Sequence, residues 1–264
     1  MPSSTLSDAR SQASQGTGEG CSTEQQANAP EYSAGDMAFI NRFIDAVRLS
    51  ITKLGFEVKA IDDFVDLSEH LKTKNATVNP TFDPNENKIS DGFWLKVTNS
   101  SDQIIACHAE RIFHSHDFIS EFIETGRLWW GNREDDPKQW RDEIISPRSA
   151  MAGTIAYAGS MLINEDQRGI GLSLYLPYLS RALCMKHFRT NFHTGIVREN
   201  LSRSKVPGDR YGFPNVDKVF RGILPGVRGP AEDVFLCWMN YRDAMNTLKQ
   251  SAHHSTFPVI TRGT

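Results

Sequence analysis

The residues with the clearest chemical use lie in one short run, Gln167-Arg168-Gly169-Ile170-Gly171-Leu172-Ser173. An apolar, strand-like run precedes it, Tyr157-Ala158-Gly159-Ser160-Met161-Leu162-Ile163, and a helix-like run from Ser173 to Phe188 follows. A strand, a basic Gly-x-Gly loop and a helix N-terminus together make an anion cradle. The first N–H groups of a helix have no intrahelical partner, and the helix dipole adds partial positive charge there. Gly169 and Gly171 let the backbone approach a phosphate with no Cβ in the way. The run therefore points to a ligand that carries phosphate. A purely steric glycine at a strand-to-helix turn is the plainer reading of the same residues. A dinucleotide fingerprint is excluded, because it needs a third glycine and an acidic residue about 20 residues on. A P-loop is excluded as well, because no Gly-Lys-Ser or Gly-Lys-Thr follows.

Proton-transfer chemistry has a second candidate, Glu110, in Cys107-His108-Ala109-Glu110. In a strand, His108 and Glu110 point to one face. A carboxylate there that faces a cleft could accept a proton from an amine, directly or through water. Two polar residues on a half-solvated strand face are the alternative. His-Ala-Glu is also half of the zinc deaminase signature, but the other half, P-C-x-x-C, is nowhere in the chain, so the zinc site cannot close. His114-Ser115-His116-Asp117 offers no helical H-E-x-x-H; it reads as a loop with Asp117 capping the next helix. His253-His254 lies in a polar tail. No metal is expected. Trp129-Trp130 reads as core, with a substrate wall or lid as the alternative.

The stretch from Ile155 to Phe213 resembles the GCN5-related N-acetyltransferase (GNAT) superfamily. There a strand runs into an Arg/Gln-x-x-Gly-x-Gly/Ala loop and then a long helix. Here Ser160 to Ile163 leads through Asn164-Glu165-Asp166-Gln167 to Arg168-Gly169-Ile170-Gly171-Leu172-Ser173. Downstream, Val197-Arg198-Glu199-Asn200-Leu201-Ser202 and Tyr211-Gly212-Phe213 look like the family's second landmark. Two departures stand out. Ser173 takes a place that is usually Gly or Ala. The family's acid tyrosine lies about four residues before the Gly-Phe pair, where this chain has Gly208; its tyrosine, Tyr211, directly precedes the pair.

The resemblance implies a co-substrate, acetyl-coenzyme A or another acyl-coenzyme A, held by the amides of Gln167 to Ser173. It implies direct attack of a neutral amine on the thioester. A backbone N–H near Met161, Leu162 or Ile163 could polarise the carbonyl. Glu110 is the candidate base and Tyr211 the candidate acid. Asn200 could touch the cofactor arm, although capping a helix from Leu201 explains an Asn equally well. The acceptor is read as a small-molecule or peptide amine. A module that binds acyl-coenzyme A without turnover is the second class left open.

These residues need elements to hold them. Helices are expected over Asp36 to Leu54, capped by Asp36 and Gly55, and over Asp62 to Lys72. Phe56 to Ile61 alternates as a strand; Phe93 to Thr98 and Ile104 to Phe113 form a hairpin. Asn75 to Asp91 reads as a loop. Residues 114–150 read as an insertion with a short helix, Asp117 to Thr125. The cradle strand spans 152–163 and the long helix 172–188. That helix is apolar on more than one side and so is expected to be buried, with Pro177 near its first turn. Asn191 to Val197, Val219 to Ile223 and Val234 to Asn240 complete the strands. The implied fold is a mixed α/β (α+β) domain over residues 35–250: a twisted, largely antiparallel sheet, flanked by helices, with a splayed central pair.

Composition sets limits on partners. The chain has 264 residues, 39% of them hydrophobic, and a net charge of −3. Mixed charge argues against nucleic acid and suits a cationic amine. No apolar run approaches the ~20 residues of a membrane span, and no signal peptide is visible. Cys21, Cys107, Cys184 and Cys237 are scattered thiols, which fits a reducing cytoplasm. Residues 1–34 are polar and expected to be disordered, and 251–264 form a polar tail. The reading leaves room for a homodimer.

Overall fold

The computed structural model describes residues 30–130, 141–144, 151–204, 206–223 and 230–253. Most of the segment expected to be disordered, residues 1–29, lies outside these, as do the tail from residue 254 and the side chain of Trp130. The described residues begin before residue 35. Tyr32 donates its hydroxyl to the Thr190 carbonyl at 3.0 Å, and Ser33 caps the first helix.

That helix, α1, spans Ala34–Lys53. Ser33 rather than Asp36 is its N-cap: the hydroxyl accepts from Asp36 N and donates to the Asp36 carboxylate. A hydroxyl one residue outside the helix can reach a free N–H, whereas Asp36 sits within the first turn and favours the dipole instead. At the other end Gly55 takes φ +88°, the left-handed turn expected after a helix. Strand β1 (Glu57–Ile61) and helix α2 (Phe64–Thr73), capped by Asp63, follow. The expected loop carries a single 3-10 turn, Pro80–Phe82, which buries Phe82 completely. Strands β2 (Gly92–Thr98) and β3 (Ile104–Ser115) form the expected hairpin.

In the insertion, the expected short helix is a π-helical turn, Ile119–Ile123, with Asp117 accepting from Ile119 N. A four-residue helix, α3 (Arg127–Trp130), buries Trp129 against Phe220. Trp129 is therefore core and not a substrate wall. The insertion also supplies a strand unseen in the sequence, β4 (Arg141–Ile144). After it come β5 (Gly153–Ile163), α4 (Leu172–Phe188), β6 (Phe192–Arg198), the short helices α5 (Glu199–Arg203) and α6 (Val206–Asp209), β7 (Asn215–Gly222), β8 (Glu232–Asn240) and α7 (Tyr241–His253). The first residues of the expected polar tail thus end α7, where Ser251 and Ala252 are buried.

The eight strands of the described residues form one sheet, in the order β1-β2-β3-β5-β6-β8-β7-β4. Only β5 and β6 pair parallel; every other neighbouring pair is antiparallel. The insertion strand β4 closes the far edge on β7. Helices cover both faces. One core joins α1, α4 and α7 to the sheet through Phe43, Val47, Leu176, Leu179 and Leu248. The other joins α2, Phe82 and Trp129 to the opposite face through Leu67, Trp94 and Tyr157.

Two features of this frame build the site. The β5–β6 ladder stops at Ala158↔Gly195, although β5 continues to Ile163 and β6 to Arg198. The two strands therefore splay. Beside the last rung, β5 bulges: Ala109 pairs with Gly159 but Cys107 pairs with Leu162, so Ser160 and Met161 stand opposite His108 alone. Ser160 takes φ +47°, a left-handed conformation that lets the strand kink. The bulge turns β5 away from β6 and leaves its edge without a strand partner.

Candidate active site

The cradle comes first. A 3-10 turn, Glu165–Gln167, carries β5 into the glycine loop. Gly169 and Gly171 take φ of +86° and +96°. Both values lie where a Cβ is disfavoured, so glycine is a conformational requirement here. Gly171 is the N-cap of α4 and makes no side-chain cap bond. The first amides of α4 are thus left to whatever ligand sits before them. Leu172 is buried and anchors the loop, while Ile170 is 37% exposed at its tip. Met161, Leu162, Ile163, Gln167, Arg168, Gly169, Leu172 and Ser173 line a cleft of about 340 Å³. One further side chain joins them that sequence reading missed, Arg210, just past α6. No spacing rule connects residues 168 and 210; the fold alone brings these two cations to one cleft.

The second cavity, of about 320 Å³, lies between the splayed strands and α4. Met161 borders both spaces, so the cleft at the cradle and this cavity are neighbours. Its apex is Ala158 and Gly195, the last rung of the parallel ladder. Glu110, His108, Arg181, His193 and Tyr211 contribute its ionisable lining together with Cys237.

Glu110 faces this cavity and is 3% exposed. Ser180 donates its hydroxyl to Glu110 Oε1 at 2.7 Å, and His108 Nε2 lies 3.5 Å from the same oxygen. The expected common face of His108 and Glu110 is therefore present, and it is buried instead of solvated. Tyr211 lines the same cavity; burial pushes its phenol pKa up, while the neighbouring charge of Arg210 opposes the shift. The hydroxyl therefore keeps its proton at neutral pH. The Tyr211 carbonyl accepts from Arg181 Nη2 at 2.6 Å. His193 accepts or donates at 3.0 Å to Thr190, and burial followed by the charge of Arg181 holds its pKa well below the ordinary 6.5. Cys237 is raised to about 12 by burial, which leaves it an inert thiol.

Asn200 is not brought to either cavity lining. It sits inside the first turn of α5, whose N-cap is Arg198, and its Oδ1 accepts from Leu201 N at 2.7 Å. Arg198, and not Asn200, is thus the N-cap of this helix. Among the described residues, no group of three or more His, Cys, Asp or Glu is placed to hold a metal ion. His114 instead meets Thr154, while Ser115 and the Asp117 amide bind Glu121.

A largely antiparallel sheet whose splayed central pair delivers a Gly-x-Gly loop to a long helix is the frame that the resemblance implied; the bulge and the parallel pairing of the splayed strands are additions of the structure. The fold is GNAT-like. Solved structures similar to it include proteins named as acetyltransferases. Arabidopsis thaliana NAA60 in complex with acetyl-CoA is 13% identical over 71% of this chain and 99% of that chain, with a TM-score of 0.44. Spermidine N-acetyltransferase from Vibrio cholerae, a dodecamer, is 10% identical over 73% and 97%, with a TM-score of 0.46. Ribosomal-protein-S5-alanine acetyltransferase from Vibrio fischeri is 12% identical over 70% and 93%, with a TM-score of 0.40. Likeness at this level says nothing about substrate or activity. No family model matches the chain, and no curated protein matches it.

Proposed function

We propose that this protein transfers an acyl group, acetyl in the simplest case, from acyl-coenzyme A to an amine. The observation that carries the reading is that the two spaces adjoin at Met161. A positively charged cleft at a helix N-terminus adjoins, at Met161, a cavity lined by a carboxyl group and a phenol. A long ligand with phosphates at one end and a reactive group at the other fits that sequence of surroundings.

In this reading the amides of Gly169 to Ser173, with Arg168 and Arg210, bind the pyrophosphate. The unpaired edge of β5 offers N–H groups from Met161 to Ile163 to the thioester oxygen. Such a donor is worth most where water is excluded. The amine nitrogen attacks the carbonyl carbon; a C–N bond forms and the C–S bond breaks. Glu110 accepts the proton leaving nitrogen, and Tyr211 gives its proton to the departing sulfur. Much of the rate would come from holding the two reactants together.

The test is release of free thiol from acetyl-coenzyme A against a library of peptide, polyamine and small amines. Amine-dependent release supports the proposal. Tight binding of acetyl-coenzyme A with no release across the library would favour the second reading, a sensor that binds without turnover. Tyr211, displaced from the family's tyrosine place, is the observation behind that second reading.

A further inference from the structure

The cavity between the splayed strands holds more unpaired polarity than an acetyl group can use. Six buried side-chain polar atoms lack a hydrogen-bond partner among the described residues; four of them belong to this one lining. They are both ring nitrogens of His108, of which Nε2 nears Glu110 Oε1 at 3.5 Å without a hydrogen bond, the Ser160 hydroxyl and Arg181 Nη1. Buried polar groups without partners cost stability, so a set of them around one space marks a place where a ligand supplies the partners.

Arg181 is the most costly of the four. It is 3% exposed in the middle of a helix that is otherwise apolar nearly all round. Its Nη2 is satisfied by the Tyr211 carbonyl, and its plane rests on the rings of Tyr178 and Phe213, at 5.3 and 5.1 Å. No carboxylate of the described residues lies within ion-pair distance of it. Glu110, on the same lining, accepts from the Ser180 hydroxyl and faces His108; its charge is felt at Arg181, but the two form no ion pair. A buried guanidinium with half of its fork unpaired is complementary to a carboxylate, which can accept from it with geometric specificity.

We propose that Arg181 is the recognition group for a substrate carboxylate carried into this cavity. The proposal rests on the acyl-coenzyme A reading above. The carboxylate has two sources, the far end of the acyl chain or the amine acceptor. The remaining groups of the lining divide the work: Glu110 and His108 face the reacting amine, and Arg181 holds the acid.

The experiment uses the full chain in two arms. In the first, equilibrium binding of coenzyme A, acetyl-, butyryl- and succinyl-coenzyme A is measured. Butyryl and succinyl groups have equal chain length and differ in the terminal carboxylate. In the second, thiol release from acetyl-coenzyme A is compared for amino acids and for the same amines without the carboxyl group. The expected result is a preference of tenfold or more for the carboxylate in one arm, and that arm names the source. Arg181→Met should abolish the preference while leaving affinity for coenzyme A itself unchanged; Arg181→Lys should retain part of it. If Arg181→Met does not fold, the wild-type preference and the lysine variant decide. Binding of acetyl-coenzyme A with no carboxylate preference in either arm overturns the proposal and leaves the cofactor reading intact. Failure of every coenzyme A thioester to bind overturns both.

Discussion

At the scale of single residues, the shared face of His108 and Glu110 was legible because strand periodicity is simple. Glu110 and His108 stand two apart on a strand, and period two sets them on one face whatever the rest of the chain does. What the periodicity could not say is that α4 covers that face and that Ser180 would take Glu110 Oε1. Glu110→Gln keeps the shape and the bond to Ser180 but removes the proton acceptor. With a verified acceptor amine, the rate should fall by about 10²-fold or more while coenzyme A affinity stays the same. Tyr211→Phe should slow the chemical step with unchanged cofactor binding. Wild-type rates in both variants would refute the assignment of base and acid. A separate prediction concerns His193. Its folded pKa is held below the ordinary 6.5, chiefly by burial and then by the charge of Arg181. The unfolded chain therefore takes up a proton near pH 6.5 that the native state refuses. Stability from this group is complete above about pH 6.5 and is lost as the pH falls below it. His70 shifts the same way through burial, then through the charge of Lys74, and adds to the slope. The melting temperature should decline from pH 7 to pH 5.5, and less steeply in His193→Gln. Equal slopes in the two proteins would show that His193 is not held neutral.

At the scale of elements, the long helix was legible to the residue, because an apolar stretch bounded by Gly171 and a basic last turn leaves little choice of ends. Its proline was placed too early: Pro177 lies in the second turn, inside the helix, where it cannot bond the Ser173 carbonyl. Strand β4 was hidden because Arg141-Asp142-Glu143-Ile144 has no strand pattern of its own; pairing with β7 at the sheet edge makes it a strand. The bulge at Ser160 was hidden for a similar reason. A left-handed serine has no sequence signature, and only the register of two neighbouring strands reveals it. The glycine loop, by contrast, declared itself. Both of its glycines have positive φ, and space at Gly169 is otherwise open. Gly169→Val should therefore leave a folded protein, strained in the loop, whose affinity for coenzyme A drops roughly tenfold or more. At Gly171 a Cβ would meet the Tyr175 ring at 3.4 Å, so valine there should lower the unliganded melting temperature further than at 169. Circular dichroism melts and binding isotherms on the two variants check this order. Unchanged affinity in a folded Gly169→Val would remove the loop from the binding site.

At the scale of the whole molecule, the fold was legible through the resemblance of residues 155–213, and the element order agrees with it, because sequential strands with one long helical crossover admit few arrangements. The two cavities were not legible, since they arise where ladder pairing stops, and nothing in residues 158 or 195 announces a last rung. That splay also gives the largest prediction. In the free protein the sheet is divided between β5 and β6 beyond Ala158, and α1, α4 and α7 tie one face of the two halves together. A ligand that fills the cleft bridges the two halves and binds the native state alone. At 100 times its dissociation constant it should add about 2.7 kcal/mol of stability. For a domain of this size that corresponds to a rise of roughly 5–10 °C in melting temperature. Acetyl-coenzyme A should produce the rise, and coenzyme A most of it, because the pyrophosphate and pantetheine arm fill the cleft in both. Free pyrophosphate should produce less, since it occupies only the cradle and cannot reach past Met161. A folded sample whose melting temperature does not move at millimolar acetyl-coenzyme A would count against the cradle, the cleft and the acyl-transfer reading together.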